Sequence, residues 1–353
     1  MPLVGAAQVA PAFLDLAASV AIAERWIAEA GRQGLQLLVF PETWLPGYPV
    51  WLDNADAAAA WGSADAKALF RRLYENSPAV DSPEVARLCA AARAASTMVV
   101  MGMNERCGRT LYNTMLYISS EGRVLGKHRK LVPTYTERLV HGRGDGSTLA
   151  VVEAGAALGR VGGLVCWEHW MPLARQAMHG KLETVHAAVW PTVNELHQLA
   201  SRSYAFEGRT FVVAAGSILR REHLPAGGSF ALLDAMDGEV FQRGGSAIIG
   251  PDGEYLAGPV YDTEGLVVGE VDLGRIAEEL QTLDVCGHYG RADVFQLAVD
   301  ERKQVLMTTT ADAAAAAPPP PPAMAEAAGA TAATATTAAT ATATAVNAAL
   351  AKL

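Results

Sequence analysis

Cysteine is scarce in this chain: 353 residues contain only four. They include no CxxC pair or other metal-ligand spacing, which excludes a disulfide-stapled scaffold and the common zinc-ribbon patterns. Cys89 shares a helical face with Val85, Leu88 and Ala92, and Cys107 and Cys286 lie near turns, so these three read as structural. The histidines His169, His179 and His186 lack the i, i+4 spacing of a helical zinc site. No metal and no cofactor is therefore expected. Long apolar runs are missing too: none approaches the roughly 18 residues of a membrane span, and no basic stretch precedes an apolar one at the N-terminus. Neither a membrane anchor nor a signal peptide is expected. Basic charge is in deficit, 28 Lys+Arg against 37 Asp+Glu for a net charge of −9, which argues against nucleic acid as a partner. An unpaired reactive thiol needs a reducing compartment, so the cytoplasm is the expected location.

What remains is ample material for a core, because 51% of the chain is hydrophobic. Strand and helix signals alternate. Val4 to Val9 reads as a strand, and a helix follows with Leu16, Val20, Ala23, Ile27 and Ala30 on one face, ended by Gly31 and Gly34. A strand to Phe40, a loop-rich insertion and a helix opened by Ser82 and Pro83 come next. Further strands are expected at 98–103, 111–119, 161–166, 185–190 and 211–215. Residues 246–250, the Asp252-Gly253 turn and 266–271 read as an antiparallel meander. The pattern predicts a layered α/β fold over residues 1–305. Residues 306–353 read as a separate low-complexity extension of alanine, threonine and proline, whose only charges are Asp312, Glu326 and Lys352. Such composition lacks the large side chains that offset chain entropy, so disorder is expected there.

Three segments carry chemistry. Gly162 to Cys166 is an apolar strand that ends in a thiol and leads toward a helix marked by Pro172 and Gly180. A residue at such a bend is presented to an open pocket, and the nearby helix N-terminus favours a thiolate. Leu37 to Phe40 runs through Pro41 directly into Glu42, a carboxylate at the carboxyl end of a buried strand, where α/β sheets place ligand sites. Partial desolvation should raise its pKa toward the range of a general base. The short basic run from Lys127 to Lys130 continues into Pro133, Thr134 and Glu137, which suits a folded active-site loop better than a nucleic-acid patch. A buried lysine there would stabilise developing negative charge and lower the pKa of a nearby thiol. The stretch Gly142-Arg143-Gly144-Asp145-Gly146-Ser147 does not join a strand to a helix, so it reads as a tight turn, not a phosphate loop.

Phe40-Pro41-Glu42, then Arg129-Lys130-Leu131 with Pro133, Thr134, Glu137 and Arg138, then Cys166-Trp167-Glu168-His169, in that order, resemble the nitrilase superfamily. The tryptophan and glutamate after the cysteine are similar to its true nitrilase branch. So are the glycine-rich stretch from Gly142, the run Val185 to Pro191, and Gly287 to Val294. The likeness spans roughly residues 3 to 300. It implies an α-β-β-α sandwich that pairs across a dimer into four layers, with larger spiral homo-oligomers built from such dimers. It also implies hydrolysis of a small organic nitrile to carboxylic acid and ammonia through a Cys166 thioimidate and acyl-enzyme. Glu42 would act as base, and Lys130 with the Trp167 backbone N–H would stabilise charge. Glu137, by the resemblance, would orient Lys130. Tyr48, Trp170 and Trp190 flank these segments and are candidate substrate contacts. His141 stands where the branch commonly has tryptophan, and Ala292 where it commonly has proline; neither change removes a catalytic group. An amidase, a carbamoylase-type hydrolase, a cyanide-degrading relative and an inactive filament-forming scaffold are the alternatives. Whether the nitrile is aliphatic or aromatic is set by pocket shape, which the sequence does not display.

Overall fold

A computed structural model describes residues 1–225, 227–305 and 307. The first half contains β1 (Leu3–Gln8), α1 (Leu16–Arg32), β2 (Leu35–Val39), α2 (Trp51–Asn54), α3 (Ala64–Glu75) and α4 (Pro83–Ala95). Next come β3 (Met98–Cys107), β4 (Thr110–Ile118), β5 (Val124–Arg129), β6 (His141–Gly142), β7 (Val152–Glu153) and β8 (Arg160–Val165). The remainder comprises α5 (Pro172–His179), β9 (Val185–Val189), α6 (Glu195–Gly208), β10 (Phe211–Ala215), β11 (Ile218–Arg220) and α7 (Ala231–Asp234). Last are β12 (Val240–Ile249), β13 (Tyr255–Tyr261), β14 (Gly265–Glu270) and α8 (Gly274–Leu280). The strands form two seven-stranded sheets, β14-β1-β2-β3-β4-β5 with β6 beside β4, and β11-β12-β10-β9-β8-β7 with β13 beside β12.

Period-two alternation explains how each strand serves two layers. In the first sheet Leu37, Val39, Met98, Val100, Met115 and Tyr117 join the core that also holds Val161, Leu164, Val185, Ala187 and Val212 of the second. The intervening Leu38, Val99, Met101, Leu116 and Ile118 face outward, onto Val20, Ala23, Ile27 and Ala30 of α1 and Val85, Leu88 and Ala92 of α4. Beyond the second sheet, Ala200, Tyr204 and Ala205 of α6 pack against its strands. The result is the expected α-β-β-α sandwich. Both central triplets, β1-β2-β3 and β8-β9-β10, are parallel, so their carboxyl ends open on the side where parallel α/β sheets bind ligands.

Most of the expected elements form with ends shifted by a residue or so, except that β3 runs on to Cys107 and β12 begins at Val240. Ser82 accepts the backbone N–H of Val85 and Pro83 opens α4, as the sequence signals required. The meander is corrected. β12 pairs antiparallel with β13, but β14 leaves that sheet and pairs with β1 along six residue pairs, Leu3 to Glu270 through Gln8 to Gly265. An open edge on β1 offers a full ladder of backbone partners, and that outweighs the local preference for a third hairpin strand. The loop-rich insertion holds α3, whose Leu69 and Leu73 pack with Phe13, Leu14 and Trp51 in a third cluster. Residues Met1–Gln304 form one compact unit. The expectation about 306–353 lies outside the described residues, Met307 excepted.

Candidate active site

Four segments converge beyond the strand ends. Glu42 follows β2 by three residues, Lys130 follows β5 directly, Glu137 sits in a 3-10 turn at Tyr135–Leu139, and Cys166 follows β8. The ligand atoms of Glu42, Glu137 and Cys166 all lie within 4.8 Å of one another. Lys130 Nζ donates to Glu42 Oε1 at 2.8 Å and to Glu137 at 2.7 and 3.0 Å. These four predicted residues therefore meet, and all are buried.

The backbone is shaped to allow this. A Cβ on Gly102 would stand 1.8 Å from the Pro41 carbonyl, so only glycine lets β3 pass so close to the segment that carries Glu42. Glu42 is held further by Asn113 Nδ2 at 2.6 Å, and its own N–H donates to the Trp190 carbonyl. Its second oxygen, Oε2, is buried and has no hydrogen-bond partner among the described residues. Glu137 also accepts the Thr134 N–H at 3.0 Å, a bond back across its own turn. Cys166 has φ +53°, a left-handed conformation costly for a residue with a Cβ. Glu168 ties that bend to the lysine strand: it accepts the N–H groups of Val165 and Leu131, both at 2.7 Å, and pairs with His128 at 2.9 Å. Asn113 and Glu168 were not foreseen. A β-strand asparagine gives no sequence signal, while Glu168, adjoining Trp167, was visible only as a motif letter.

Electrostatics divide the roles these groups can take. Burial is the main influence on Glu42 and raises its pKa to about 7, with Lys130 opposing and Glu137 assisting. Lys130 is pressed toward neutrality by burial, but Cys166, Glu42 and Glu137 outweigh this and hold it charged. The Cys166 thiol is pushed well above its ordinary pKa, first by burial and then by Glu42; Lys130 and the Trp167 backbone N–H pull the other way without prevailing. The expectation of a resting thiolate is thus corrected. Desolvation and two carboxylates outweigh the lysine, and the helix expected at Pro172 does begin there, separated from the thiol by the 3-10 turn Cys166–Trp170. A neutral thiol beside a half-titrated carboxylate is a nucleophile paired with its base.

A cavity of about 980 Å³ opens onto Cys166 and Glu137, lined by Tyr48, Val132, Pro133, Trp167, Trp170, His197 and Phe241 among others. Tyr48 OH donates to Asp53 at 3.0 Å and lies 3.3 Å from Glu137. Of the three aromatic candidates, Tyr48 and Trp170 line this cavity. Trp190 does not: it is fully buried behind the wall, stacked between His169 and His197 at ring distances of 4.7 and 4.5 Å. His141 is also away from the cavity. Burial and Lys130 lower its pKa to about 3, so it is a neutral donor to Asn104 at 2.8 Å, and Asn104 in turn braces the carbonyls of Thr43 and Gly47. Ala292 is exposed, far down the chain from the four clustered residues. Among the described residues Glu42, Glu137 and Cys166 are the one group with donor types suited to a metal. The Lys130 ammonium already bonds both carboxylates.

The carbon-nitrogen hydrolase family matches residues 3–279. The chain is 39% identical over 308 residues to a bifunctional nitrilase/nitrile hydratase of Lupinus angustifolius, covering 86% of this chain and 87% of that protein. It is 38% identical over 322 residues to an aliphatic nitrilase of Rhodococcus rhodochrous, covering 87% and 84%. Among solved structures, a carbon-nitrogen hydrolase from Helicobacter pylori G27 superposes with TM-score 0.65 at 18% identity, over 83% of this chain and 96% of that one. Saccharomyces cerevisiae Nit3 does so with TM-score 0.61, also at 18% identity, over 82% and 96%. The structural likenesses concern the fold, and the sequence likenesses go further: this chain belongs to the carbon-nitrogen hydrolase family, in its nitrilase branch.

Proposed function

We propose that this protein is a nitrilase that converts a small organic nitrile and two waters to a carboxylic acid and ammonia. The observation that carries the reading is the unpartnered Glu42 Oε2 in the same buried cluster as the Cys166 thiol, with Lys130 charged beside both. Glu42 takes the thiol proton as sulfur bonds to the nitrile carbon. Negative charge moves to nitrogen, which Lys130 and the Trp167 N–H stabilise until the proton held by Glu42 passes to it, giving a thioimidate and freeing the carboxylate. Water, deprotonated by Glu42, adds to the thioimidate carbon, and ammonia leaves to give a thioester. A second water releases the acid and restores the thiol. If the first tetrahedral intermediate expels sulfur instead of ammonia, the product is the amide. Glu137 orients Lys130 through its two short contacts.

Tyr48 and Trp170 are the substrate contacts this reading retains, since both line the cavity. The reading also carries the dimer and the spiral assemblies built from it. Supporting them, Leu173 on α5 and Leu196, Leu199 and Phe206 on α6 are large apolar side chains left exposed on one chain. Light scattering should give at least twice the mass of 37.1 kDa. Among the described residues no helix is long and apolar enough to cross a membrane, and four free cysteines suit the reducing cytoplasm. The activity itself is tested by ammonia release from nitriles, with the matching amides run in parallel.

A further inference from the structure

Behind the cavity wall lies a line of buried polar groups that the mechanism above does not use. His169 Nδ1 stands 2.7 Å from the Cys166 carbonyl oxygen, and His169 Nε2 stands 3.0 Å from His186 Nε2. His186 Nδ1 stands 2.9 Å from Glu183, and Glu183 accepts the Tyr204 hydroxyl at 2.6 Å. All four side chains are buried. Gly162 makes room for the carboxylate, since a Cβ there would meet Glu183 Oε1 at 1.8 Å.

Hydrogen-bond chemistry fixes the direction of the line. A carbonyl oxygen only accepts, so His169 Nδ1 carries a proton. His169 is held neutral by its burial and by His186, so its Nε2 is an acceptor and the proton between the rings belongs to His186 Nε2. On its other side His186 shares a proton with Glu183, whose carboxylate is held ionised, against burial, by His186 and Tyr204. Donation thus runs from His186 Nε2 through His169 to the Cys166 carbonyl, while Glu183 accepts from His186 Nδ1 and from the Tyr204 hydroxyl.

That carbonyl belongs to the Cys166–Trp167 peptide. In a trans peptide the C=O and N–H point in opposite directions, so holding one aims the other. With that carbonyl held behind the cavity wall, the Trp167 N–H is directed the other way, toward the cavity that Cys166 and Trp167 both line. A hydrogen bond to the oxygen of a peptide also polarises it and strengthens its N–H as a donor. We propose that His169, backed by His186, Glu183 and Tyr204, is a positioning residue: it grips the Cys166 carbonyl and so aims and strengthens the Trp167 N–H toward charge developing on the substrate. The grip also helps hold Cys166 in its left-handed conformation. This inference rests on the proposed Cys166 chemistry.

The test compares wild type with His169→Asn, His169→Gln and His169→Phe. An asparagine amide nitrogen reaches about the position of imidazole Nδ1, a glutamine nitrogen about that of Nε2, and phenylalanine keeps the ring without a donor. Three readouts are taken: kcat and KM on the best nitrile, inhibition by butanal, benzaldehyde and phenylacetaldehyde, and alkylation of Cys166 by iodoacetamide. An aldehyde adds the thiol across its C=O, sulfur bonding to carbon and the proton passing to oxygen, so its oxygen occupies the position served by Trp167 N–H. Alkylation develops no such charge. The expected result is a fall of about tenfold to a hundredfold in kcat and aldehyde affinity for the Phe and Gln variants. Their KM and alkylation rate should stay within about threefold, and the Asn variant should stay near wild type. A folded Phe or Gln variant that matches wild type in kcat and aldehyde affinity overturns the inference, as does an equal loss across all readouts, Asn included. If Phe does not fold, Gln decides, because it keeps size and polarity. A wild type that neither turns over nitriles nor binds aldehydes overturns the Cys166 reading and this one together.

Discussion

Each of the four clustered side chains is defined by what burial does to it. Glu42 must be ionised to take a proton, and its raised pKa of about 7 places the acid limb of the reaction there. A base is active in its deprotonated form, so kcat/KM should climb as pH rises through about 7 and fall away below it; a profile flat from pH 5 to 9 would remove Glu42 from the role. Lys130 compensates two carboxylates at once. Replacing it by glutamine strands both, and loss of one partner from a buried pair costs about 3–5 kcal/mol. Urea denaturation of Lys130→Gln should report a destabilisation of that order together with loss of turnover. An unchanged unfolding midpoint would mean the carboxylates are solvated, contrary to their burial. The reactive residues were legible because each stands at the end of an apolar strand or in a short motif with few rival meanings. The resting state of the thiol was not legible. It depends on the sum of burial and three charges brought from distant segments, which no local pattern displays.

Elements set the distances among those side chains. β3 passes the Glu42 segment at a separation only a glycine tolerates, so Gly102→Ala should shift Pro41 and Glu42 together. We expect a loss of about 1–3 kcal/mol in stability and a larger proportional loss in kcat than in KM, read by thermal melting and steady-state kinetics. Wild-type kcat with a normal melting point would show the contact to be slack. Legibility varied among elements for physical reasons. α1 and α4 carry one apolar stripe and, in α4, a Ser82 cap, so their sequence determines them locally. The α6 helix is weakly amphipathic because its Tyr204 and Ser201 are buried beside leucines that are exposed, and periodicity missed it. The course of β14 was missed because its partner, β1, lies more than 250 residues away in sequence, and no spacing rule reaches that far.

At the scale of the molecule, the last strand closes the first. Residues Met1–Gln304 hold both sheets, all three apolar clusters and all four central residues. A chain ended after Gln304 should keep its activity and melt within a few degrees of the full protein. One ended after Thr263 loses β14 and exposes the β1 edge, and it should be insoluble or unfolded. Activity lost on the shorter cut alone supports this division, whereas activity lost on both would give the later residues a part in the site. A layered α/β fold was legible from alternating strands and helices, and the two-sheet sandwich was implied only by the family resemblance; which strand closes which edge depends on pairing across the whole chain.

Release of ammonia and acid from a panel of aliphatic and aromatic nitriles, by wild type and Cys166→Ala, tests the central claim most directly. The proposed chemistry predicts turnover of at least one nitrile to its acid and none in the variant, with the variant still folded. Nitrile turnover that survives in Cys166→Ala, or hydrolysis by wild type of amides alone, would contradict it.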